Sequence, residues 1–290
     1  MPDVSPPESS LRAGEAPSLA LADALVRSRH ALAASPAGLL TDFDGTVSPI
    51  VADPTAARLV PGADGALATL ARRLAVVAVV TGRAPLDARR MTGVPGLLVA
   101  GNHGTEWLEP DAGAAVPSPN ATRVRLAISE AIDRLPALDG VIVEDKGLSA
   151  TVHYRSAPDP EVARRALLAA IGRPPSGVEV RPGRMSLELR PIGLGDKGAA
   201  TRAIIERFGL RGAVVMGDDV TDLDMFAAVA ETRDAGRLRG LIIGVGGSDE
   251  EVPPAVSDAA DVVLPSVAEA ARLLELLAAS LASADPAAAG

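Results

Sequence analysis

Two aspartates stand two residues apart in Thr41-Asp42-Phe43-Asp44-Gly45-Thr46, directly after an apolar run. In extended chain such neighbours point the same way, so one carboxylate can attack while the other handles a proton. The competing structural reading is an Asp-rich turn that closes a strand. A calcium loop is excluded, because the EF-hand pattern needs a third acidic or Asn position and a later Glu. Thr81-Gly82-Arg83 follows a second apolar run. A hydroxyl and free backbone N–H groups at a strand-to-helix junction suit a phosphate, although the same tripeptide also serves as an ordinary turn. Lys197 opens a helical stretch that reaches about Phe208, with Gly209 as its stop. Alone it reads as a solvated lysine, and the GxxxxGK[ST] phosphate-loop spacing fails because Gly198 stands where Ser or Thr is needed.

Gly217-Asp218-Asp219-Val220-Thr221-Asp222 crowds its aspartates so closely that they repel unless a cation or unusual protonation compensates. With oxygen ligands, no cysteine and only 3 histidines in the chain, the cation should be hard. Mg²⁺ is favoured because it tolerates few protein ligands alongside waters and phosphate. The alternative is a capping cluster in which Asp222 starts the next helix.

These residues must be positioned by the elements around them. The apolar runs 37–40, 74–80, 96–100, 213–216, 241–245 and 261–264 read as buried parallel strands, with helical stretches between several of them and a helix over 18–34 in front. That pattern predicts an α/β domain with a doubly wound sheet, in which strand C-terminal ends face the ligand crevice. The middle of the chain alternates instead. Residues 141–154 and 178–190 read as antiparallel hairpins, with turns at Asp145-Lys146-Gly147 and Pro182-Gly183. Helical stretches over 121–135 and 159–171 precede them, which gives an αββαββ insertion. The expected organisation is a Rossmannoid core over 18–110 and 191–278, an inserted α/β lid over 111–190, and disordered ends at 1–17 and 279–290.

Composition narrows the function classes. A chain of 290 residues with 48% hydrophobic and 22% charged residues folds rather than staying disordered. A net charge of −9 with 2% aromatics opposes nucleic-acid binding, by backbone attraction or by base stacking. The absence of cysteine removes thiol nucleophiles, disulfides, Cys-based zinc sites and iron–sulfur clusters. The first ten residues lack a secretory pattern, and the run 74–80 is far too short for a bilayer. The expectation is a cytoplasmic protein with no membrane or nucleic-acid partner.

Taken in order, DxDGT, TGR, Lys197 and GDDxxD resemble the four motifs of the haloacid dehalogenase superfamily of phosphotransferases, across nearly the whole chain outside the lid. DFDGTVSPI from Asp42, GNHG from Gly101, EDKGLSATVHYR from Glu144 and GDDVTDLDMF from Gly217 are similar to the trehalose-6-phosphate phosphatase family. Thr81 stands where that family often has Ser, and Leu223 where it often has Glu. Neither change removes a needed group.

The resemblance implies a haloacid-dehalogenase-like core with an inserted cap, and Mg²⁺-dependent hydrolysis of trehalose 6-phosphate through an aspartyl-phosphate. Asp42 would be the nucleophile and Asp44 the general acid and then base, with Thr81 and Lys197 holding the phosphoryl group. Mg²⁺ would sit on the Asp42 carboxylate, the Asp44 backbone carbonyl and Asp218, supported by Asp219 and Asp222. Gly82, Arg83, Asn102 and His103 would serve the substrate site. In the family, lid residues matching Glu144, Lys146, Arg155 and Glu188 contact the disaccharide or close over the phosphate. For Lys146 and Arg155 the structural alternative is cross-strand charge pairing. His153 reads as a strand residue, His103 as a group orienting Asp44 or a loop, and Trp107 as packing at the lid hinge. The partner expected is a separate trehalose-6-phosphate synthase, and the protein itself a monomer. Two other readings stay open: the same chemistry on sucrose phosphate, mannosylglycerate phosphate or a hexose phosphate, and a sugar-phosphate-binding regulatory domain without turnover.

Overall fold

The computed structural model describes residues 18–51, 53–145, 148–183, 185–192, 196–246 and 252–283. The chain begins with α1 (Leu19–Leu32), β1 (Ala37–Thr41), α2 (Ala63–Arg73), β2 (Val76–Val80), α3 (Pro85–Thr92), β3 (Leu98–Gly101), β4 (Glu106–Leu108) and β5 (Val116–Pro117). An inserted stretch follows: α4 (Pro119–Asp133), β6 (Ile142–Asp145), β7 (Ala150–His153), α5 (Pro160–Ile171), β8 (Val178–Gly183) and β9 (Ser186–Pro191). The chain then returns with α6 (Lys197–Arg207), β10 (Gly212–Gly217), α7 (Leu223–Asp234), β11 (Arg239–Val245), α8 (Pro254–Ala259), β12 (Val262–Leu264) and α9 (Val267–Ser283).

The large sheet has the order β12-β11-β10-β1-β2-β3-β4-β5. Strands β12 to β3 pair in parallel, while β4 and β5 continue the sheet antiparallel. The winding direction reverses at β1, between β2 and β10, and a crevice opens outside the strand C-terminal ends at such a switch point. Strands β1, β2 and β10 are buried throughout, as their unbroken apolar runs require. Period-two alternation then sorts their side chains. Leu39, Val77, Val79, Val214 and Met216 meet α1, α2 and α9 on one face. Leu40, Val76, Ala78, Val80 and Val215 meet α6 and α7 on the other. Each fully buried Val, Leu or Ile contributes about 1.5–3 kcal/mol, which anchors the strand ends that lead into Asp42, Thr81 and Asp218.

The inserted stretch forms its own antiparallel sheet, β6-β7-β9-β8. One face packs Val152, Leu187 and Leu189 against Ile128 of α4 and Leu167 of α5. On the opposite face, the register sets Glu144 beside Thr151, Thr151 beside Glu188, and Glu188 beside Arg181 in one polar row.

Some sequence expectations are corrected. Strands β4 and β5 were not anticipated, because two or three residues are too few for alternation to register. β5 falls after residue 111, where the lid was expected to have begun, yet it pairs with β4 in the large sheet. Trp107 is buried within β4. The last helix passes the boundary expected at 278 and runs to Ser283. Leu277 and Ala278 are buried there and Leu281 packs on the same core, which holds the helix past the Ala-rich composition that suggested a tail. The expected disordered segment 1–17 lies outside the described residues. Among the described residues no helix is long and apolar enough to cross a membrane.

Candidate active site

Asp42 follows β1 and extends its ladder, its N–H donating to the Met216 carbonyl at 2.9 Å. Phe43 turns fully into the core, so Asp42 and Asp44 share the opposite side. The chain then reverses, with the N–H of Gly45 donating to the Ser48 carbonyl at 2.7 Å and the N–H of Ser48 to the Phe43 carbonyl at 2.9 Å. Gly45 has φ +78°, and a Cβ there would lie 2.0 Å from Asp218 Oδ2. A residue without a side chain is needed on both counts. Thr46 Oγ1 donates to Asp218 Oδ1 at 2.7 Å, tying the loop after β1 to the loop after β10.

Lys197 is the first residue of α6, whose N-cap Asp196 accepts from the Ala199 N–H. The lysine is buried, and its Nζ donates at 2.7 Å to both Asp42 Oδ1 and Asp222 Oδ1. The second oxygen of Asp222 accepts from the N–H groups of Asp218 at 2.9 Å and Asp219 at 3.1 Å. Asp222 makes no cap to α7 through its side chain. It fixes the Asp218 loop and the lysine instead.

Carboxylate oxygens of Asp42, Asp218 and Asp222 lie within 4.8 Å of one another. Both oxygens of Asp222 are already engaged, which leaves Asp42 and Asp218 as the acceptors open to a cation. Burial pushes the Asp42 carboxyl up to about 8, with Asp222 and Asp218 adding to the rise against the pull of Lys197. Burial likewise raises Asp218 to about 7, opposed by its hydrogen bond from Thr46. Burial draws the Lys197 ammonium down, but Asp42 and Asp222 outweigh it and hold the group above the ordinary lysine range. Among the described residues Lys197 is the one buried cation facing these acids, which leaves the cluster short of positive charge.

Asp44 is held by a fork. Arg83 Nε donates to its Oδ2 and Nη2 to its Oδ1, each at 2.6 Å, while the guanidinium carbon lies 5.6 Å from the centroid of the Phe43 ring. The buried Thr81 Oγ1 accepts from the Arg83 N–H at 3.2 Å. After β3 the chain makes a tight turn in which Asn102 and His103 both take the left-handed conformation, at φ +48° and +55°, uncommon for residues with a Cβ. Backbone bonds brace it: the N–H of His103 donates to the Thr81 carbonyl at 2.9 Å, and that of Asn102 to the Arg83 carbonyl at 2.8 Å. The turn lays the His103 imidazole against Gly82, where a Cβ would come within 2.8 Å of the ring.

A cavity of about 540 Å³ opens over these groups, lined by Asp42, Asp44, Thr81, Gly82, Arg83, His103, Lys197, Asp218 and Asp219. Nine residues singled out in the sequence therefore meet at one site. Asn102 does not, because its amide donates to the Glu106 carboxylate, a turning-away set by its positive φ. Asp219 is exposed at the rim. The lid residues Glu144, Arg155 and Glu188 do not line this cavity. Glu144 lies 3.3 Å from His153 and Glu188 pairs with Arg190 at 2.6 Å, while Arg155 is exposed just after β7. Lys146 lies outside the described residues. The sequence reading missed Ile50, Val252 and Pro253, which give the mouth an apolar side. It also missed the bracing role of Thr46, for which the DxDGT segment was the available signal.

A doubly wound sheet with DxDGT at its switch point, a buried lysine opposite, an aspartate cluster on the next strand end and an inserted α/β cap define the haloacid dehalogenase class of fold. The family description Trehalose-phosphatase matches residues 40–251, and the chain belongs to that family. It is 38% identical over 269 residues to the trehalose-phosphate phosphatase of Mycobacterium avium (strain 104), covering 88% of this chain and 65% of that protein. It is 35% identical over 237 residues to the protein of the same name from Mycobacterium bovis (strain BCG / Pasteur 1173P2), covering 77% and 59%. The chain thus spans less than two thirds of the length of these relatives. The structure of Aspergillus fumigatus trehalose-6-phosphate phosphatase in crystal form 3 superposes with TM-score 0.56 at 27% identity, covering 92% of this chain and 100% of that one.

Proposed function

We propose that this protein is a phosphatase that hydrolyses trehalose 6-phosphate to trehalose and phosphate through an aspartyl-phosphate on Asp42. The observation that carries the reading is the placement of Asp42: buried, held by Lys197, and in one cavity with Asp44 and Thr81. An Asp42 oxygen attacks phosphorus, the ester P–O bond breaks, and the leaving oxygen takes a proton from Asp44. Water then attacks the phosphoryl group and gives a proton to Asp44, while the bond to Asp42 breaks and restores its carboxylate. Ester and water become alcohol and phosphate. Lys197 and the Thr81 hydroxyl supply fixed positive charge and hydrogen bonding to the phosphoryl oxygens, the electrostatic preorganisation such transfers need.

The donor set fits Mg²⁺: oxygen ligands alone, close together, in a cluster whose raised Asp42 and Asp218 carboxyls mark missing positive charge. The Asp42 carboxylate, the Asp44 backbone carbonyl and Asp218 would hold it, Asp222 would position the loop, and Asp219 would remain at the rim. When bound, the ion neutralises charge on the transferring group. The reading of the sugar rests on family membership and on relatives named trehalose-phosphate phosphatase. Glu144, Arg155 and Glu188, which do not line the cavity, would meet the disaccharide once the cap closes, which also excludes water from the phosphoryl site; the family resemblance gives Lys146 the same role.

The test is phosphate release from trehalose 6-phosphate with Mg²⁺ and with EDTA, beside glucose 6-phosphate and sucrose 6-phosphate, with Asp42→Asn as control. Mg²⁺-dependent release from the trehalose ester, abolished in Asp42→Asn, is expected. Equal rates on all three esters overturn the sugar assignment, and turnover by Asp42→Asn overturns the nucleophile.

A further inference from the structure

In the structure Asp44 is not poised to give up a proton. Both its oxygens face the Arg83 guanidinium at 2.6 Å, and a charge-assisted fork of this kind is among the stronger side-chain contacts. To protonate a departing alkoxide, one oxygen must turn to the leaving group carrying a hydrogen. While the fork is closed, neither does.

The Arg83 backbone and its head are held by different groups. Its backbone is fixed at both ends, by the N–H bond to Thr81 Oγ1 and by the Asn102 N–H on its carbonyl. A Cβ on Gly101 would lie 2.6 Å from that same carbonyl, so only a glycine lets the end of β3 approach it this closely. The guanidinium itself lines the cavity with Asp42, Thr81 and Lys197, within reach of an arriving phosphate. A phosphate monoester dianion offers the same planar pair of acceptor oxygens as a carboxylate, with more charge.

We propose that Arg83 is a positioning residue for Asp44: it holds the carboxylate in register in the resting site and releases it when the phosphate of the substrate takes over the guanidinium, and the released carboxylate takes a proton from water in the cavity and turns it to the leaving group. The inference rests on the aspartyl-phosphate reading above and adds to it the order of events. It also gives a reason for the turn of Asn102 and His103, whose left-handed backbone braces the Arg83 carbonyl without placing Asn102 in the cavity.

The test is a double-mutant cycle with Arg83→Met, Arg83→Lys, Asp44→Asn and Arg83→Met/Asp44→Asn, assayed on trehalose 6-phosphate and p-nitrophenyl phosphate. The sugar alkoxide needs a proton to leave and the nitrophenolate does not. Arg83→Met is expected to lower kcat on the sugar ester about tenfold, with a loss at least three times smaller (by rough estimate) on the aryl ester. In the Asp44→Asn background the sugar-ester loss from Arg83→Met should shrink at least about fivefold, because the group it acts through is gone. Arg83→Lys keeps the charge without the fork and should fall between wild type and Arg83→Met. Equal losses on both esters, multiplying independently with Asp44→Asn, would make Arg83 a plain phosphate ligand and overturn the proposal, as would a gain in kcat. If Arg83→Met does not fold, the same comparison is read from Arg83→Lys with Arg83→Lys/Asp44→Asn. Failure of the underlying reading looks different: Asp42→Asn would still release nitrophenol.

Discussion

Replacing Lys197 with Met keeps most of the aliphatic stem and removes the one ammonium that joins Asp42 to Asp222. The lysine and both partners are buried, and each contact is 2.7 Å long. Without it, the carboxyl groups of Asp42, Asp218 and Asp222, with oxygens no more than 4.8 Å apart, lose their compensating charge; where two of them are ionised, an effective dielectric constant of about 20 sets their repulsion at that distance at roughly 3.5 kcal/mol. Breaking a buried ion pair from one side costs about 3–5 kcal/mol, and proton uptake caps the penalty. The pH dependence follows from the direction of the Asp42 shift. Its folded value, about 8, lies above the ordinary 3.8, so stability from this group is highest at low pH and is lost as pH rises towards the folded value. In the metal-free wild type that loss ends near pH 8. In Lys197→Met the folded value moves higher still, and the loss continues. Urea unfolding in EDTA should therefore show the variant less stable by about 3–5 kcal/mol at pH 6.5, with the gap widening above pH 8 by up to about 1.4 kcal/mol per pH unit. A gap under about 1 kcal/mol, or one that narrows as pH rises, would refute the charge balance drawn here.

Gly45→Ala should be disruptive out of proportion to one methyl group, since the new Cβ meets the Asp218 carboxylate in a left-handed backbone; a loss of about 1–3 kcal/mol in stability and a clear weakening of cation binding by calorimetry are expected, and wild-type cation affinity would contradict the geometry. Cation binding itself must displace protons, because Asp42 and Asp218 ionise only near 8 and 7 in the free site. Mg²⁺ affinity should rise steeply between pH 6 and 8 and level off above, with proton release measured by titration in buffers of different ionisation enthalpy; affinity flat across this range would count against Asp42 and Asp218 as ligands.

Much of this was readable before the structure, for identifiable reasons. Buried parallel strands announce themselves as unbroken apolar runs, so β1, β2 and β10 could be found, with Asp42, Thr81 and Asp218 at their ends. The alternation in β6 to β9 likewise gave away the hairpins. Pairings across long stretches of sequence left no local trace. Thr46 meets Asp218 across 172 positions and Arg83 meets Asp44 across 39, and nothing in either segment points to the other. Asp222 was assigned to a metal or a cap because spacing alone cannot tell which donors its two oxygens will find. Asn102 was placed with the substrate because the sign of φ decides where its amide goes.

The topology also sets an order of assembly. Every pairing of the four-stranded sheet is made within residues 142–191, so that unit can close as soon as it leaves the ribosome. The central strand has no such freedom: β1 waits for β10, pairing Leu39 with Val214 and Leu40 with Val215, after the whole insertion has been synthesised. Asp42 meets Lys197 across 155 residues, and contacts of such long range form late. A nascent chain therefore carries Asp42 through the synthesis of the next 155 residues before Lys197 exists to meet it, and the pairing that completes the candidate site belongs to the late, long-range events of folding.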